Sequence, residues 1–336
     1  MGKIVTRLII VVLVVAIVVV FAIGLQRKGG KLRFALVPKS IGHPYWEGVR
    51  EGMEAAAKRL GVEATFWGPP EASVDKQITI IETLISQGYD GIAISPNDPE
   101  SVKDVIKTAI SKGIAVVTFD SDSPDSERLV YIGTDNRQGG RVCAEEMKKL
   151  LGAKKTGEGA GEKLLVQIIG GKPGAWNLNE RMDGFKEGAA GTNIELADVL
   201  YNQEKAETAR QVAESALVAH PKLKGFFGSN AFAGPGAALA VKGAGKKPGE
   251  IRIVAFDTTD DILDLMEKGY INCTLAQNTR EMGRLSVEKL VAFAKQHREK
   301  KAFDRQPKGK DILDTGVTVV WPKDAPDYRA KPAEKK

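Results

Sequence analysis

Cysteine and histidine are scarce in this sequence, and that scarcity argues against a metal centre. The chain has two cysteines, Cys143 and Cys273, and three histidines. Neither cysteine belongs to a C-x-x-C pair or has a histidine near it in the sequence, so the ligand spacing of a zinc site is missing. Two buried thiols are a simpler interpretation than a disulfide, which would require an oxidising compartment.

The sequence also lacks the short motifs that mark enzymes on doubly wound folds. It contains no G-x-G-x-x-G, no G-x-x-x-x-G-K-S/T and no G-x-S-x-G. The glycine-rich stretch 170–174 follows a predicted strand, but its glycines do not have the dinucleotide-binding spacing. We therefore predict no catalysis and no cofactor, and an enzyme is the weaker alternative.

Basic residues are not arranged in a way that favours nucleic acid. The formal net charge is +6, and part of that excess flanks the first apolar run or lies in the last two residues. Aromatic residues make up only 6% of the chain and do not alternate with basic ones, so nucleic acid is not a predicted partner.

One long apolar run, Leu8–Leu25, carries no charge and follows Lys3 and Arg7. Its length is closer to the roughly 20 residues of a membrane-spanning helix than to the 7–15 of a signal-peptide core, although Ala22–Gly24 could serve as a cleavage site. No cysteine follows the run, which excludes a lipoprotein anchor. We predict that residues 1–30 are a signal peptide or an apolar anchor helix. The rest of the chain would then lie on the periplasmic or extracellular side of the cytoplasmic membrane.

Short apolar runs alternate with amphipathic helical stretches in the rest of the chain. The first predicted strand is Arg33–Val37, the first helix is Tyr45–Leu60, and the series ends with the long helix Thr279–Lys300 and the strand Val317–Trp321. This regular alternation predicts an α/β fold of parallel sheets with helices on both faces. Roughly twelve strands fit two sheets better than one.

Ligands of such sheets bind beyond the carboxyl ends of the strands. Asp120 and Asp257 each follow an apolar strand directly, and other strands end in amides, hydroxyls or an aromatic pair. Carboxylates and amides can hydrogen-bond neighbouring hydroxyls, and an aromatic ring can cover an apolar C–H face, so the pattern favours a neutral polyhydroxyl ligand. Polar residues after strands also cap helices, and both interpretations stay open for Asp135.

Six stretches of the sequence resemble the ribose-type periplasmic binding proteins, a family that shares its fold with the ligand domains of LacI-type repressors. Each stretch alone is a weak signal, but all six occur in the family's order between about Lys31 and about Pro322. They are Gly42–Trp46, Thr118–Asp120, Ile132–Asn136, Glu180–Phe185, Val254–Asp257 and Ala276–Gln277.

The resemblance implies the type I periplasmic binding protein fold. Two Rossmann-like lobes would be joined by three crossovers near Thr134, Gln277 and Lys310. The implied N-terminal lobe is 31–134 with 278–310, the C-terminal lobe is 135–277 with 311–322, and 323–336 is a polar tail.

The resemblance also implies a ligand site. Together with the strand-end pattern, which adds Asp135, it predicts these ligand-binding residues: His43, Tyr45, Trp46, Ser95, Asp120, Asp135, Arg181, Glu204, Asn230, Asp257 and Gln277. Ser121 stands where the ribose binder has an arginine, Ser95 where the family has an asparagine, and Glu204 near a family aromatic. These departures leave a pentose, a hexose and a polyol open.

The implied function is capture of a small sugar for an ABC-type transporter permease. A membrane-tethered sugar sensor, or a chemoreceptor partner, is the main alternative. A DNA-binding regulator is disfavoured, because an apolar run occupies the place of the repressors' DNA-binding helices. The chain would meet the membrane only through its N-terminal segment.

Overall fold

The computed structural model describes residues 30–157, 161–307, 309 and 311–329. The predicted N-terminal signal peptide or anchor lies outside these residues, apart from Gly30. Within the described ranges, no helix combines the length and the apolar composition that a bilayer-spanning segment needs.

Six parallel strands of the described residues form the first sheet. They are Arg33–Val37 (β1), Glu63–Phe66 (β2), Gly91–Ile94 (β3), Ala115–Phe119 (β4), Tyr131–Gly133 (β5) and, late in the chain, Ile312–Asp314 (β12). Their order is β12-β5-β4-β3-β1-β2. The helices of this lobe are Tyr45–Leu60 (α1), Val74–Ser86 (α2), Lys103–Ser111 (α3) and Thr279–Lys300 (α9).

The second sheet has seven strands among the described residues. They are Leu164–Gly170 (β6), Ile194–Leu196 (β7), Leu200–Tyr201 (β8), Gly225–Gly228 (β9), Arg252–Phe256 (β10), Cys273–Gln277 (β11) and Val317–Val320 (β13). The order is β13-β11-β10-β9-β6-β7, with β8 also on β6 and β13 antiparallel to β11. Its helices are Asn136–Leu151 (α4), Trp176–Ala189 (α5), Ala206–Ala219 (α6), Ala233–Gly243 (α7) and Asp260–Glu267 (α8).

This architecture confirms the predicted fold of two α/β lobes with largely parallel sheets. Buried strands explain it, because β3, β4 and β9 have no exposed residue and must be covered by helices on both faces. The chain passes between the lobes after β5, after β11 and after β12.

The third passage differs from the sequence prediction. Lys310 lies outside the described residues, and β12 pairs with β5 in the first sheet. Ile312–Asp314 therefore belongs to the first lobe, and the chain crosses only after Asp314. The first lobe keeps this strand because Leu313 packs against its core and Asp311 forms a buried ion pair with Arg128.

The predicted polar tail also begins with ordered structure. Pro322–Tyr328 forms a 3₁₀ helix whose Ala325 is fully buried in the core of the second lobe. Arg329 then pairs with Asp264 and Glu267 of α8. The second lobe thus extends to the end of the described residues.

In each lobe, two helices pack with their backbones in close contact. A Cβ atom on Gly52 of α1 would lie 1.9 Å from the carbonyl oxygen of Arg280 on α9. A Cβ atom on Gly140 of α4 would lie 2.0 Å from the carbonyl oxygen of Arg181 on α5. Side chains at these glycines would push the helices apart. The N-terminal ends of α1 and α5 are thereby fixed beside the carboxyl ends of the strands.

Both cysteines are free and buried, which confirms their interpretation as two thiols. They lie in the core of the second lobe, on α4 and β11. Burial raises the pKa of Cys273 to about 12, so this thiol stays protonated and unreactive near neutral pH.

Candidate functional site

A cavity of about 250 Å³ lies between the lobes, at the carboxyl ends of the strands of both sheets. Pockets for drug-sized ligands span about 300–1,000 Å³, so this cavity suits a smaller guest. In the part of the chain that the structure describes, no group of three metal-ligating side chains is present. The lining includes these predicted residues: His43, Tyr45, Trp46, Asp120, Arg181, Glu204, Asn230, Asp257 and Gln277.

Two strand-end aspartates occupy equivalent places in the two lobes. Asp120 follows β4 and Asp257 follows β10, and both have left-handed backbone, with φ of 58° and 77°. Each backbone N–H donates to the neighbouring strand, at 3.1 Å to Ile132 and 2.7 Å to Leu275. A left-handed residue with a side chain costs about 1–2 kcal/mol, and such strain concentrates at ligand sites.

The carboxylate of Asp120 is held entirely by its own lobe. Its Oδ1 accepts from the hydroxyl of Tyr45 at 2.7 Å, and its Oδ2 accepts from the hydroxyl of Ser95 at 2.7 Å. Burial, and then the charge of Asp120, raises the pKa of Tyr45 well above its ordinary value, so this hydroxyl stays protonated. Ser95 does not line the cavity but positions Asp120 from beneath.

The carboxylate of Asp257 is held by the crossover and by a charge. Its Oδ1 accepts from the Gln277 amide at 2.8 Å. Burial raises the pKa of Asp257, and the positive charge of Arg181 and the Gln277 hydrogen bond oppose that rise. A ligand that donates to this carboxylate would favour its ionised form further.

Three contacts fix the guanidinium of Arg181, and one of its nitrogen atoms has no partner in the described part of the chain. It lies on α5, 2% exposed, with its guanidinium 3.8 Å above the ring of Phe256. Its Nε donates to Asn136 Oδ1 at 2.8 Å and its Nη1 to the Ser229 carbonyl at 3.0 Å. Its buried Nη2 has no partner among the described residues. An unsatisfied buried donor beside a cavity marks the place of a ligand acceptor.

Lys39 is a cavity residue that the sequence analysis missed. It follows β1, is 6% exposed, and its Nζ donates to Asn177 Oδ1 of α5 at 2.8 Å, across the cleft. An ammonium has three donors, so two remain for a ligand. The position of Lys39 after a strand, like that of the two aspartates, is the sequence feature that indicates a cavity residue.

The rings of one residue from each lobe, His43 and Phe232, meet in the lining of the cavity. The rings of His43 and Phe232 lie 4.7 Å apart, edge to face, and Phe232 also escaped the sequence prediction. The Nδ1 of His43 accepts from the backbone N–H of Tyr45 at 3.0 Å, so the neutral ring carries its proton on Nε2. Burial lowers the pKa of His43, and the charge of Glu204 opposes that change.

The remaining predicted residues differ in what they do. Asn230 lines the cavity, and its Oδ1 also accepts from the N–H of Ala233, the first residue of α7, at 3.0 Å. Glu204 lines the cavity from a left-handed backbone, with φ of 55°. Asp135 is exposed and lies outside the cavity, where it caps α4 by accepting from the Gln138 N–H at 2.9 Å. The capping interpretation of Asp135 is therefore the one that the geometry supports.

Comparison with known proteins gives a consistent result across both lobes. Residues 34–299 match the family described as periplasmic binding protein domain. The D-ribose/D-allose-binding protein of Pseudomonas aeruginosa is 28% identical over 289 residues, which is 82% of this chain and 88% of that protein. A Burkholderia graminis solute-binding protein solved with D-arabinose is 38% identical, with a TM-score of 0.77, covering 87% of this chain and 96% of that one. XylFII in the XylFII–LytSN complex is 28% identical, with a TM-score of 0.74, covering 88% and 99%.

Proposed function

This chain belongs to the periplasmic binding protein family, and from that premise we propose that it captures a small neutral sugar between its lobes and delivers it to an ABC-type transporter. One observation carries the proposal. Asp120 of the first lobe and Asp257 and Arg181 of the second, all at least nine-tenths buried, converge on a single small cavity. Their carboxylates and guanidinium match the two hydrogen-bonding roles of a hydroxyl group.

The donors and acceptors of the cavity that have no partner among the described residues fit a ligand with several hydroxyl groups. Each ionised carboxylate offers about four acceptor sites, and Asp120 uses two of them on Tyr45 and Ser95. Lys39 and the Nη2 of Arg181 supply free donors. The lining already holds the carboxylates of Asp120, Asp257 and Glu204 against two buried cations, so an anionic ligand is disfavoured.

The position of the cations bears on which sugar binds. Ser121 is fully buried, does not line the cavity, and takes no part in the site. The cation that the first lobe contributes to the cavity is Lys39, from the end of β1 rather than β4. The ring faces of the guest would meet Trp46 from the first lobe and Phe232 from the second. We therefore propose an aldopentose or aldohexose other than ribose as the best ligand.

Lobe closure is the proposed mechanism. Ligand contacts come from both lobes, so ligand binding favours the closed arrangement over the open one. The three passages after β5, β11 and β12 are the only chain connections between the lobes in the described residues, and they would serve as hinges. Binding in this mechanism involves no bond cleavage. We infer that the protein works outside the cytoplasm, as its family name indicates.

Isothermal titration with purified protein tests the proposal. The panel is D-ribose, D-allose, D-arabinose, D-xylose, D-glucose and xylitol, with glucuronate as the anionic control. We expect at least one neutral sugar to bind in the micromolar range or tighter, and the sugar recovered afterwards to be chemically unchanged. Absence of binding across the panel, or a preference for glucuronate, would overturn the proposal.

Reporting the presence of the sugar to a signalling partner is a second candidate function. It is favoured by one solved relative, XylFII, which is held in a complex with a second protein, LytSN. A host strain in which the gene for this chain is deleted distinguishes the two functions. Loss of uptake of the identified sugar supports transport, whereas intact uptake with a lost transcriptional response to that sugar supports signalling.

A further inference from the structure

Asn136 is the meeting point of hydrogen bonds from both lobes, although it does not line the cavity. It is the first residue of α4, 1% exposed, directly after the first crossover. Its Oδ1 accepts from the Nε of Arg181 at 2.8 Å. Its Nδ2 lies 3.1 Å from the hydroxyl of Tyr131 and 3.1 Å from the carbonyl of Thr134.

The partners of Asn136 lead to both strand-end aspartates. The hydroxyl of Tyr131 lies 3.1 Å from the carbonyl of Asp120. The hydroxyl of Thr134 donates at 2.8 Å to Gln277 Oε1, and the Nε2 of Gln277 donates at 2.8 Å to Asp257. Hydrogen bonds on the carbonyl and on the hydroxyl of Thr134 therefore link the backbone of Asp120, through the first two crossovers, to the carboxylate of Asp257.

The amide of Asn136 satisfies all three partners because it donates and accepts at once. Arg181 presents a donor and needs an acceptor, whereas the Thr134 carbonyl is an acceptor and needs a donor. A carboxylate would repel that carbonyl, and an aliphatic side chain would leave the Nε of Arg181 unpaired in a buried site. Since Phe256 and Ser229 hold the guanidinium elsewhere, the Asn136 bond completes its orientation.

We propose that Asn136 positions Arg181 for the ligand and couples the bound ligand to the first crossover. This inference rests on the proposed function, because it assigns a positioning residue to the same cavity. Contact of a sugar with the free Nη2 would fix the guanidinium, and the Nε bond would transmit that constraint to the segment about which the lobes move. Loss of Asn136 would weaken sugar binding without removing any group that touches the sugar.

The first test compares two identical substitutions at helix starts after crossovers. Asn136→Leu should weaken binding of the sugar identified by titration by roughly tenfold to a hundredfold, the range for one hydrogen bond to a charged group. Asn278→Leu is the matched control, because Asn278 is exposed and caps α9 but does not line the cavity. It should lower the melting temperature and leave affinity within twofold. Asn136→Ala removes the same contacts in case the leucine variant does not fold.

A double-mutant cycle separates positioning from a general loss of stability. Lysine at position 181 has no Nε–H, so Arg181→Lys already lacks the bond to Asn136. Adding Asn136→Leu to Arg181→Lys should cause little further loss of affinity. If the two losses add fully, Asn136 does not act through Arg181 and the proposal is wrong.

A ligand-free measurement keeps this inference distinct from the proposed function. In the ¹⁵N spectrum of the arginine Nε–H groups, Arg181 should give a slowly exchanging signal, as should Arg128, whose Nε–H is also buried. The Arg181 signal is assigned by its absence in Arg181→Lys. Exchange should accelerate in Asn136→Leu and Asn136→Ala but not in Asn278→Leu. Unchanged exchange overturns the proposal even if sugars bind. A wild-type protein that binds no sugar overturns the proposed function instead, while the spectrum still decides whether Asn136 positions Arg181.

Discussion

The two lobes present equivalent aspartates to the cavity but hold them by different means. Asp120 in the first lobe takes neutral hydroxyl donors from its own lobe, Tyr45 and Ser95. Asp257 in the second lobe takes an amide from the crossover residue Gln277 and is balanced by the charge of Arg181. The first half of the site is therefore internally assembled, whereas the second half depends on the crossover and on a charge.

The lobes also differ in the ion pairs that hold their last described segments. In the first lobe, Arg128 forms buried ion pairs with Asp122 and Asp311, which fasten the segment before β12. In the second lobe, Arg329 holds the 3₁₀ helix through solvent-exposed pairs with α8. We infer that Arg128, the buried arginine of the first lobe, serves structure, whereas Arg181, the buried arginine of the second lobe, serves ligand recognition.

The largest expected effect concerns the buried ion pairs. Arg128→Leu should lower the free energy of unfolding by about 3–5 kcal/mol, because it leaves Asp122 and Asp311 buried without their cation. Arg329→Leu should have a much smaller effect, since exposed ion pairs are screened by solvent. Urea denaturation monitored by circular dichroism checks both variants. Equal losses would remove the difference between the lobes.

The second expected effect concerns the charge in the second half of the site. Arg181→Leu should weaken sugar binding by about a hundredfold or more, because it removes the free donor and leaves Asp257 without its compensating charge. Arg137→Leu is the control, since Arg137 pairs with Glu180 and Glu187 on the outer surface. Titration calorimetry should show unchanged affinity in the control. A loss in both variants would point to disruption of the packing of α4 against α5 instead.

The parts of this structure that local patterns determine were predictable from the sequence. The bounds of α1 and α9 follow from apolar spacing, and Asp120 and Asp257 follow from their position directly after apolar strands. Local patterns do not determine the break between β7 and β8, two short strands that pair separately with β6.

Features that depend on distant partners were not predictable. Strand β12 is short and partly exposed, and it is held by β5 and by the ion pair of Arg128 with Asp311. The role of Lys39 depends on Asn177 of the other lobe, which lies 2.8 Å from its ammonium but 138 residues away along the chain. The network around Asn136 likewise joins residues from separate elements, and no spacing along the chain indicates it.

A third expected effect concerns the pH dependence of the second lobe. The folded Asp257 has a raised pKa, so it keeps its proton to a higher pH than in the unfolded chain. Its contribution to stability is therefore complete below the ordinary aspartate pKa and is lost as pH rises through the folded value. Asp257→Asn cannot lose a proton. The unfolding free energy of the ligand-free variant relative to wild type should rise with pH and then level off, and parallel pH curves would contradict this.

The smallest expected effect tests where the site ends. Asp135 follows a strand of the first sheet, as Asp120 does, yet it lies outside the cavity and caps α4. Asp135→Ala should lower the free energy of unfolding by about 1 kcal/mol, the usual cost of a lost N-cap. Its sugar affinity, measured by titration, should stay within twofold of wild type. A loss of affinity comparable with that of Arg181→Leu would show that the aspartate contacts the ligand after all, and that the first crossover contributes a further carboxylate to the site.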